Sequence, residues 1–217
     1  MVPQSMTTFD LLFPRRLIPV VVLDDPCRAK PLAQALAAGG LPVAEVTFRT
    51  PQARDALSAM AEDSRMTVGA GTVISAAQVD AAVTAGARFV VCPGYSRDVV
   101  HRCRDLNVPV LPGAATASDL IAAFDAGLTT VKLFPAEPLG GITMLRALAA
   151  AFPQVRFVPT GGISPANAAS YLADPAVLAV GGSWMVAREL MSDTGWDRVT
   201  RLTAEAVELA DQVGRGD

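Results

Sequence analysis

The stretch TTVKLFPAE, residues 129–137, sets a lysine inside an apolar run. Only two of the 18 basic residues are lysines, Lys30 and Lys132, so lysine at this place is a departure from the chain's own habit. A structural role facing a buried carboxylate would suit arginine better, because its planar fork binds both oxygens. Burial gives lysine something arginine lacks, since desolvation can free its amine. A free amine attacks carbonyl carbon and forms a Schiff base. The stretch AEVTFRT offers an acid to work with it. Strand alternation puts Glu45, Thr47 and Arg49 on one face and Ala44, Val46 and Phe48 on the other. The second set is apolar and suits a helix-covered side, so Glu45 must face inward. The same parity turns Lys132 and Phe134 inward, with Thr72 and Thr160 on their own strands. Glu45 and Lys132 also admit a purely structural reading as a buried ion pair.

Two glycine pairs form a second constellation. Gly161 and Gly162 stand in PTGGI, and Gly181 and Gly182 in GGSW. Glycine lets backbone N–H groups approach an anion closely, and a following helix start adds its dipole. Ser183 adds a hydroxyl. Arg49 and Thr72 are further anion-binding candidates. Each glycine pair alone reads as an ordinary turn; two at successive strand ends point to phosphate.

These residues must be positioned by strands. Apolar runs recur at roughly 20–25 residue spacing, a repeat-scale period. They cover residues 17–23, 43–48, 67–73, 89–94, 108–113, 129–136, 156–162 and 177–184. Richness in Val, Ile, Leu and Phe suits parallel strands buried on both faces. Alanine-rich helical segments lie between them, such as PCRAKPLAQALAAGG and SAAQVDAAVTAGA. Ser75, Ser96, Ser118 and Ser164 mark helix starts; Gly39, Gly86 and Gly127 mark helix ends. Alternating strands and helices predict an α/β fold, a (β/α)8 barrel with an extra N-terminal helix before residue 17. Residues after about 193 read as a C-terminal helix, and residues 1–217 as a single domain. An open doubly wound sheet is the structural alternative. In a barrel, Glu45 on the second strand and Lys132 on the sixth face each other across the axis, with space for a ligand carbon between them.

Composition narrows the function classes. Net charge is −3 and no basic stripe suggests nucleic acid or anionic lipid. No run reaches the ~18 apolar residues of a membrane span, and no secretory leader is legible. Three cysteines, Cys27, Cys92 and Cys103, read as reduced cytosolic thiols. The single histidine, His101, reads as a surface helix residue, so neither a histidine metal site nor a Ser-His-Asp triad is expected.

EVTFRTP, VGAGTV, KLFPAE, PTGGISPAN and GGSW occur in this order and spacing. Together they resemble the class I 2-dehydro-3-deoxy-6-phosphogluconate (KDPG) aldolases, often bifunctional with 4-hydroxy-2-oxoglutarate (KHG) aldolase activity. The resemblance runs from about Arg16 to the C-terminal helix. It implies a metal-free, cofactor-free barrel enzyme, usually a cytoplasmic homotrimer, acting in the Entner–Doudoroff pathway on a phosphorylated keto acid. It implies Lys132 as the Schiff-base lysine and Glu45 as the acid/base. Arg49 and Thr72 then bind substrate, Pro93 corresponds to the family's strand-four proline, and Gly161, Gly162 and Ser183 bind phosphate. A sister family acting on the galactonate isomer lacks the arginine of TFRT. Two other readings stay open: mainly KHG aldolase, or a phosphosugar isomerase or decarboxylase on the same barrel.

Overall fold

A computed structural model describes residues 8–192 and 194–214. The fold is α/β, built on a curled parallel sheet. Its strands are β1 (Leu17–Val21), β2 (Val43–Thr47), β3 (Thr67–Gly71), β4 (Phe89–Val91) and β5 (Val110–Leu111), then β6 (Gly113–Ala114), β7 (Thr130–Leu133), β8 (Arg156–Pro159) and β9 (Val180–Gly182). They lie in the orders β5-β4-β3-β2-β1-β9 and β6-β7-β8. Isolated parallel bridges, Phe157 with Val177 and Thr160 with Gly181, join the edge of the second group to the β9 segment.

The predicted strands are longer than the observed ones. The run 108–113 is divided into β5 and β6 by Pro112, which has no N–H to give a ladder. Its carbonyl still accepts a 2.8 Å bond from the Lys132 N–H. The run 129–136 ends as a strand at Leu133, before a cis Phe134–Pro135 bond.

Helices α1 (Thr8–Leu12), α2 (Ala29–Ala38), α3 (Ala53–Ala61), α4 (Ala76–Thr84) and α5 (Arg97–Asp105) precede or follow the first strands. After them come α6 (Ala117–Asp125), α7 (Gly141–Ala151), α8 (Pro165–Leu172) and α9 (Trp196–Gly214). The expected N-terminal extension lies partly in residues 1–7, outside the described residues. Ser75, Ser96 and Ser164 are N-caps, so those helix starts are local in origin. Ser118 is not a cap: Thr116 caps α6 in a box with Asp119, and Ser118 lies inside the helix. Gly86 and Gly127 end their helices at φ +99° and +68°, a region open to glycine; at the end of α2 that conformation belongs to Gly40 rather than Gly39. Helix α5 shows the general logic of the outer layer. It buries Val99, Val100 and Cys103 and turns Arg102 out to Asp80 on α4 at 2.7 Å. Among the described residues no helix is long and apolar enough to cross a membrane.

Phe89 opens β4, and Phe13 meets its ring edge-on at 5.1 Å, with Phe9 stacked on Phe13 at 5.7 Å. These rings fill the N-terminal end of the strands, leaving chemistry to the opposite end. Gly69 is the register partner of Phe89, and a Cβ there would lie 2.2 Å from the ring. Gly69→Ala is therefore expected to overpack the core and cost about 1–3 kcal/mol. Thermal unfolding checks this; an unchanged midpoint would show that Phe89 has room to move.

Candidate active site

Register places the ionisable pair. Glu45 is flanked by Val20 on β1 and Gly69 on β3, and Lys132 by Gly113 on β6 and Val158 on β8. Lys132 Nζ donates to Glu45 Oε1 at 2.9 Å and to Oε2 at 3.3 Å. The two side chains are 4% and 2% exposed. The expected gap across the axis is thus corrected to direct contact. Charges buried this deeply are stable only when paired and hydrogen-bonded. The surroundings are shaped around them. A Cβ on Gly71 would lie 2.2 Å from Glu45 Oε1, so VGAGTV uses glycine to make room for the carboxylate. Thr47 ties its hydroxyl to the Val21 carbonyl at 2.9 Å and leaves Glu45 to the lysine.

The contact suits amine chemistry. An ammonium proton has a carboxylate oxygen within hydrogen-bond reach, and its transfer would leave a neutral amine. The nearby Cys92 does not compete. Burial pushes its thiol up to about 12, with Cys103 and Glu45 adding and Lys132 opposing, so it stays protonated and poorly nucleophilic at neutral pH. The Phe134 ring centroid stands 5.4 Å from Nζ, and Phe134 also lines a neighbouring cavity whose lining does not include Lys132 or Glu45.

That cavity, of about 220 Å³, is lined by Arg49, Phe134, Thr160, Gly161, Gly162, Gly181, Gly182 and Ser183, together with Val20, Val22 and Ile163. Eight predicted residues thus meet on one wall. Thr72 joins through Arg49, whose Nε donates to its hydroxyl at 3.2 Å. Thr72 has φ +57°, a costly conformation for a β-branched residue and one that recurs at functional positions. Pro93 stands off the wall. Its carbonyl abuts Gly113, where a Cβ would lie 2.3 Å away, and Gly113 neighbours Lys132 in register. Pro93 therefore bears on the lysine through a strand rather than lining the cavity. Among the described residues no group of three or more His, Cys, Asp or Glu is placed to hold a metal. Cys92 and Cys103 are buried, and His101 is exposed on α5, as expected of a surface helix residue.

The sequence reading missed several residues. Val20, Val22 and Ile163 give the cavity an apolar side; strand parity from Glu45's neighbour Val20 could have found the first two. Asn167 accepts from the Ser164 N–H at 2.8 Å and donates to the Gly162 carbonyl at 3.1 Å. The S-x-x-N spacing in SPAN was the signal for the first bond. Glu137 accepts a short hydrogen bond from the Tyr171 hydroxyl and fills the space a Cβ on Gly162 would need.

The chain is similar to known proteins. The family model for KDPG and KHG aldolases matches residues 10–202. The 2-dehydro-3-deoxy-phosphogluconate aldolase of Treponema pallidum is 44% identical over 205 residues, covering 94% of this chain and 98% of its own. The crystal structure of the Zymomonas mobilis 2-keto-3-deoxy-6-phosphogluconate aldolase with 3-phosphoglycerate superposes with a TM-score of 0.89 at 42% identity, covering 94% of this chain and 97% of the other. The Legionella pneumophila KDPG aldolase, with pyruvate captured as a covalent carbinolamine, gives 0.88 at 41% identity, covering 92% and 98%.

The buried pair sets a stability test. Lys132→Met strands the Glu45 carboxylate and is expected to cost about 3–5 kcal/mol. Adding Glu45→Gln removes the stranded charge and should restore most of the loss. Urea unfolding of both variants checks this, and a double variant no more stable than the single one would overturn it.

Proposed function

This chain belongs to the KDPG and KHG aldolase family, and from that premise we propose that it cleaves 2-dehydro-3-deoxy-6-phosphogluconate to pyruvate and glyceraldehyde 3-phosphate. One observation carries the reading: a buried lysine amine 2.9 Å from a buried carboxylate, joined through Phe134 to a cavity partly walled by glycines. Lys132 Nζ attacks the C2 ketone as Glu45 takes its proton. The carbinolamine loses water with a proton returned by Glu45, giving an iminium. Glu45, through a water, removes the C4 hydroxyl proton. The C3–C4 bond breaks, its electrons pass to the iminium nitrogen, and glyceraldehyde 3-phosphate leaves. The enamine is protonated at C3, and water releases pyruvate. Arg49 and Thr72 hold the carboxylate end. The glycine walls and Ser183 hold the phosphate, whose binding energy fixes the scissile bond in place. Pro93 supports the strand beside Lys132. The Legionella relative's carbinolamine with pyruvate and the Zymomonas relative's 3-phosphoglycerate support the two halves of this assignment.

The finer architecture belongs to the same reading. The bridges from Thr160 to Gly181 and from Phe157 to Val177, and the continuation of β5 into β6 across Pro112, support one closed (β/α)8 barrel with the N-terminal helix as an addition. The family resemblance further supports a single-domain, cytoplasmic homotrimer serving the Entner–Doudoroff pathway. Cleavage of 4-hydroxy-2-oxoglutarate is the second activity, since the amine chemistry does not involve the phosphate. An isomerase or decarboxylase would leave Lys132 without a role.

Lys132→Arg keeps the charge but removes the nucleophile. It is expected to abolish turnover and borohydride trapping of pyruvate, while Glu45→Gln loses about 10²–10⁴-fold in turnover and still traps slowly. Mass measurement of the intact protein reads the adduct. Trapping on Lys30, or full activity in folded Lys132→Arg, would overturn the mechanism.

The phosphate assignment has its own test. Gly162 has φ +83°, and a Cβ there would lie 2.5 Å from Glu137 Cβ. Gly162→Val should depress kcat/KM on the phosphorylated substrate far more than on 4-hydroxy-2-oxoglutarate. Equal losses in a protein of native circular dichroism would place the phosphate elsewhere.

A further inference from the structure

Three successive carbonyls in the loop after β8 are tied down. The Thr160 carbonyl accepts from the Ala136 N–H at 2.8 Å, and the Gly161 carbonyl from the Glu137 N–H at 3.0 Å. The Gly162 carbonyl accepts from Asn167 Nδ2 at 3.1 Å. Among the described residues the cis peptide bond is Phe134–Pro135, so these three peptides are trans. In a trans peptide the N–H points opposite to the C=O. Tying the carbonyls of 160, 161 and 162 therefore turns the N–H groups of Gly161, Gly162 and Ile163 the other way. All three of those residues line the cavity.

The tether is itself braced. Glu137 packs its Cβ and Cγ where Gly162 lacks a side chain, and Tyr171, 1% exposed, donates its hydroxyl to the Glu137 carboxylate. A Cβ on Gly141 would lie 2.9 Å from that carboxylate and 3.2 Å from the Tyr171 hydroxyl, so the contact is closely packed. The loop after β7 thus clamps the loop after β8, and α8 supplies both Asn167 and Tyr171.

We propose that Asn167, Glu137 and Tyr171 are positioning residues that hold the Gly161, Gly162 and Ile163 N–H groups as a preorganised cradle for the substrate's phosphate. Preorganised donors bind an anion without reorganising when it arrives. The proposal deepens the aldolase reading, from which it takes only the phosphate's identity.

Two near-isosteric variants test it. Asn167→Asp keeps the acceptor for the Ser164 N–H, and so the helix cap, but loses the donor to the Gly162 carbonyl and sets a negative charge beside it. Tyr171→Phe removes only the hydroxyl. Calorimetric titration with inorganic phosphate is expected to show binding to the wild-type protein, weakened at least about tenfold in Asn167→Asp and more modestly in Tyr171→Phe. KM for the phosphorylated substrate should rise in the same order, and by more than KM for 4-hydroxy-2-oxoglutarate. Asn167→Gln, which can restore a donor, should recover part of the phosphate binding lost in Asn167→Asp. Phosphate affinity equal in wild type and Asn167→Asp, no phosphate binding by the wild type, or equal losses on both substrates would overturn the clamp. A wild-type protein that binds phosphate but traps no pyruvate would overturn the aldolase reading, and the phosphate titration of the variants would still decide the clamp.

Discussion

Two opposite charges, one from each group of parallel strands, lie in direct contact in the interior, and much of the surrounding sequence answers to them. A carboxylate and an ammonium taken out of water each carry a desolvation penalty of several kcal/mol. Their mutual contact at 2.9 Å offsets it only if neighbours neither crowd nor compete. Gly71 avoids crowding Glu45, and Gly113 beside Lys132 lets the backbone of Pro93 come close. Thr47 spends its hydroxyl on Val21 rather than on the carboxylate. Cys92, the nearby ionisable group, is kept neutral by its burial. A hydrophobic pair of similar volume would pack as well or better. A pair kept at such a cost supports the proposed chemistry, in which a proton moves between the partners.

The residues after Lys132 explain why the apolar run continues as FPAE. Phe134 reaches from the lysine into the cavity wall, and the cis bond to Pro135 follows at once. Ala136 and Glu137 then give their N–H groups to the neighbouring loop at Thr160 and Gly161. A single segment of β7 and its loop therefore serves both ends of the cavity. Displacing it would disturb amine and glycine wall together, which is why selective variants must act on α8 or on side chains alone.

Much of this was legible from residue types. Period-2 alternation turned Glu45, Lys132, Phe134 and Thr160 to one side; Glu45 and Lys132 meet there, and Phe134 and Thr160 line the neighbouring cavity. The glycine pairs were legible as a pattern at successive strand ends, but the close packing of Gly162 on Glu137, Gly181 on Thr160 and Gly182 on Trp184 was not. Other features were not legible, for identifiable reasons. The strand at 108–113 divides because Pro112 removes a donor, an effect hidden in a run that is otherwise apolar. Thr116 rather than Ser118 caps α6 because Asp119 completes a reciprocal box with it, a choice between two hydroxyls two residues apart. The contact between Lys132 and Glu45 depends on side-chain reach, which strand parity does not measure. Glu137, Asn167 and Tyr171 act through carbonyls and through one another. No periodicity or residue type announces a side chain whose target is another segment's backbone.

The two anion-binding devices we propose differ in a way that electrostatics accounts for. Arg49 carries a full charge and is exposed at the rim, resting against the neutral hydroxyl of Thr72. Water screens it there, so it needs no buried counter-ion. A side-chain cation set into the glycine wall would be partly desolvated and would require acceptors of its own, as the part-buried Arg16 uses the carbonyls of Leu172, Val177 and Leu178. Those acceptors would then compete with any incoming phosphate. Backbone N–H groups carry only partial charge, need no counter-ion, and are aimed by tethering their carbonyls. In the proposed function, negative charge would be received at the cavity without a second cation packed beside Lys132, whose ion-pair partner among the described residues is Glu45. The glycines and the lysine–glutamate pair are two consequences of one constraint: every full charge in the interior must have its partner, so the remaining recognition falls to neutral dipoles.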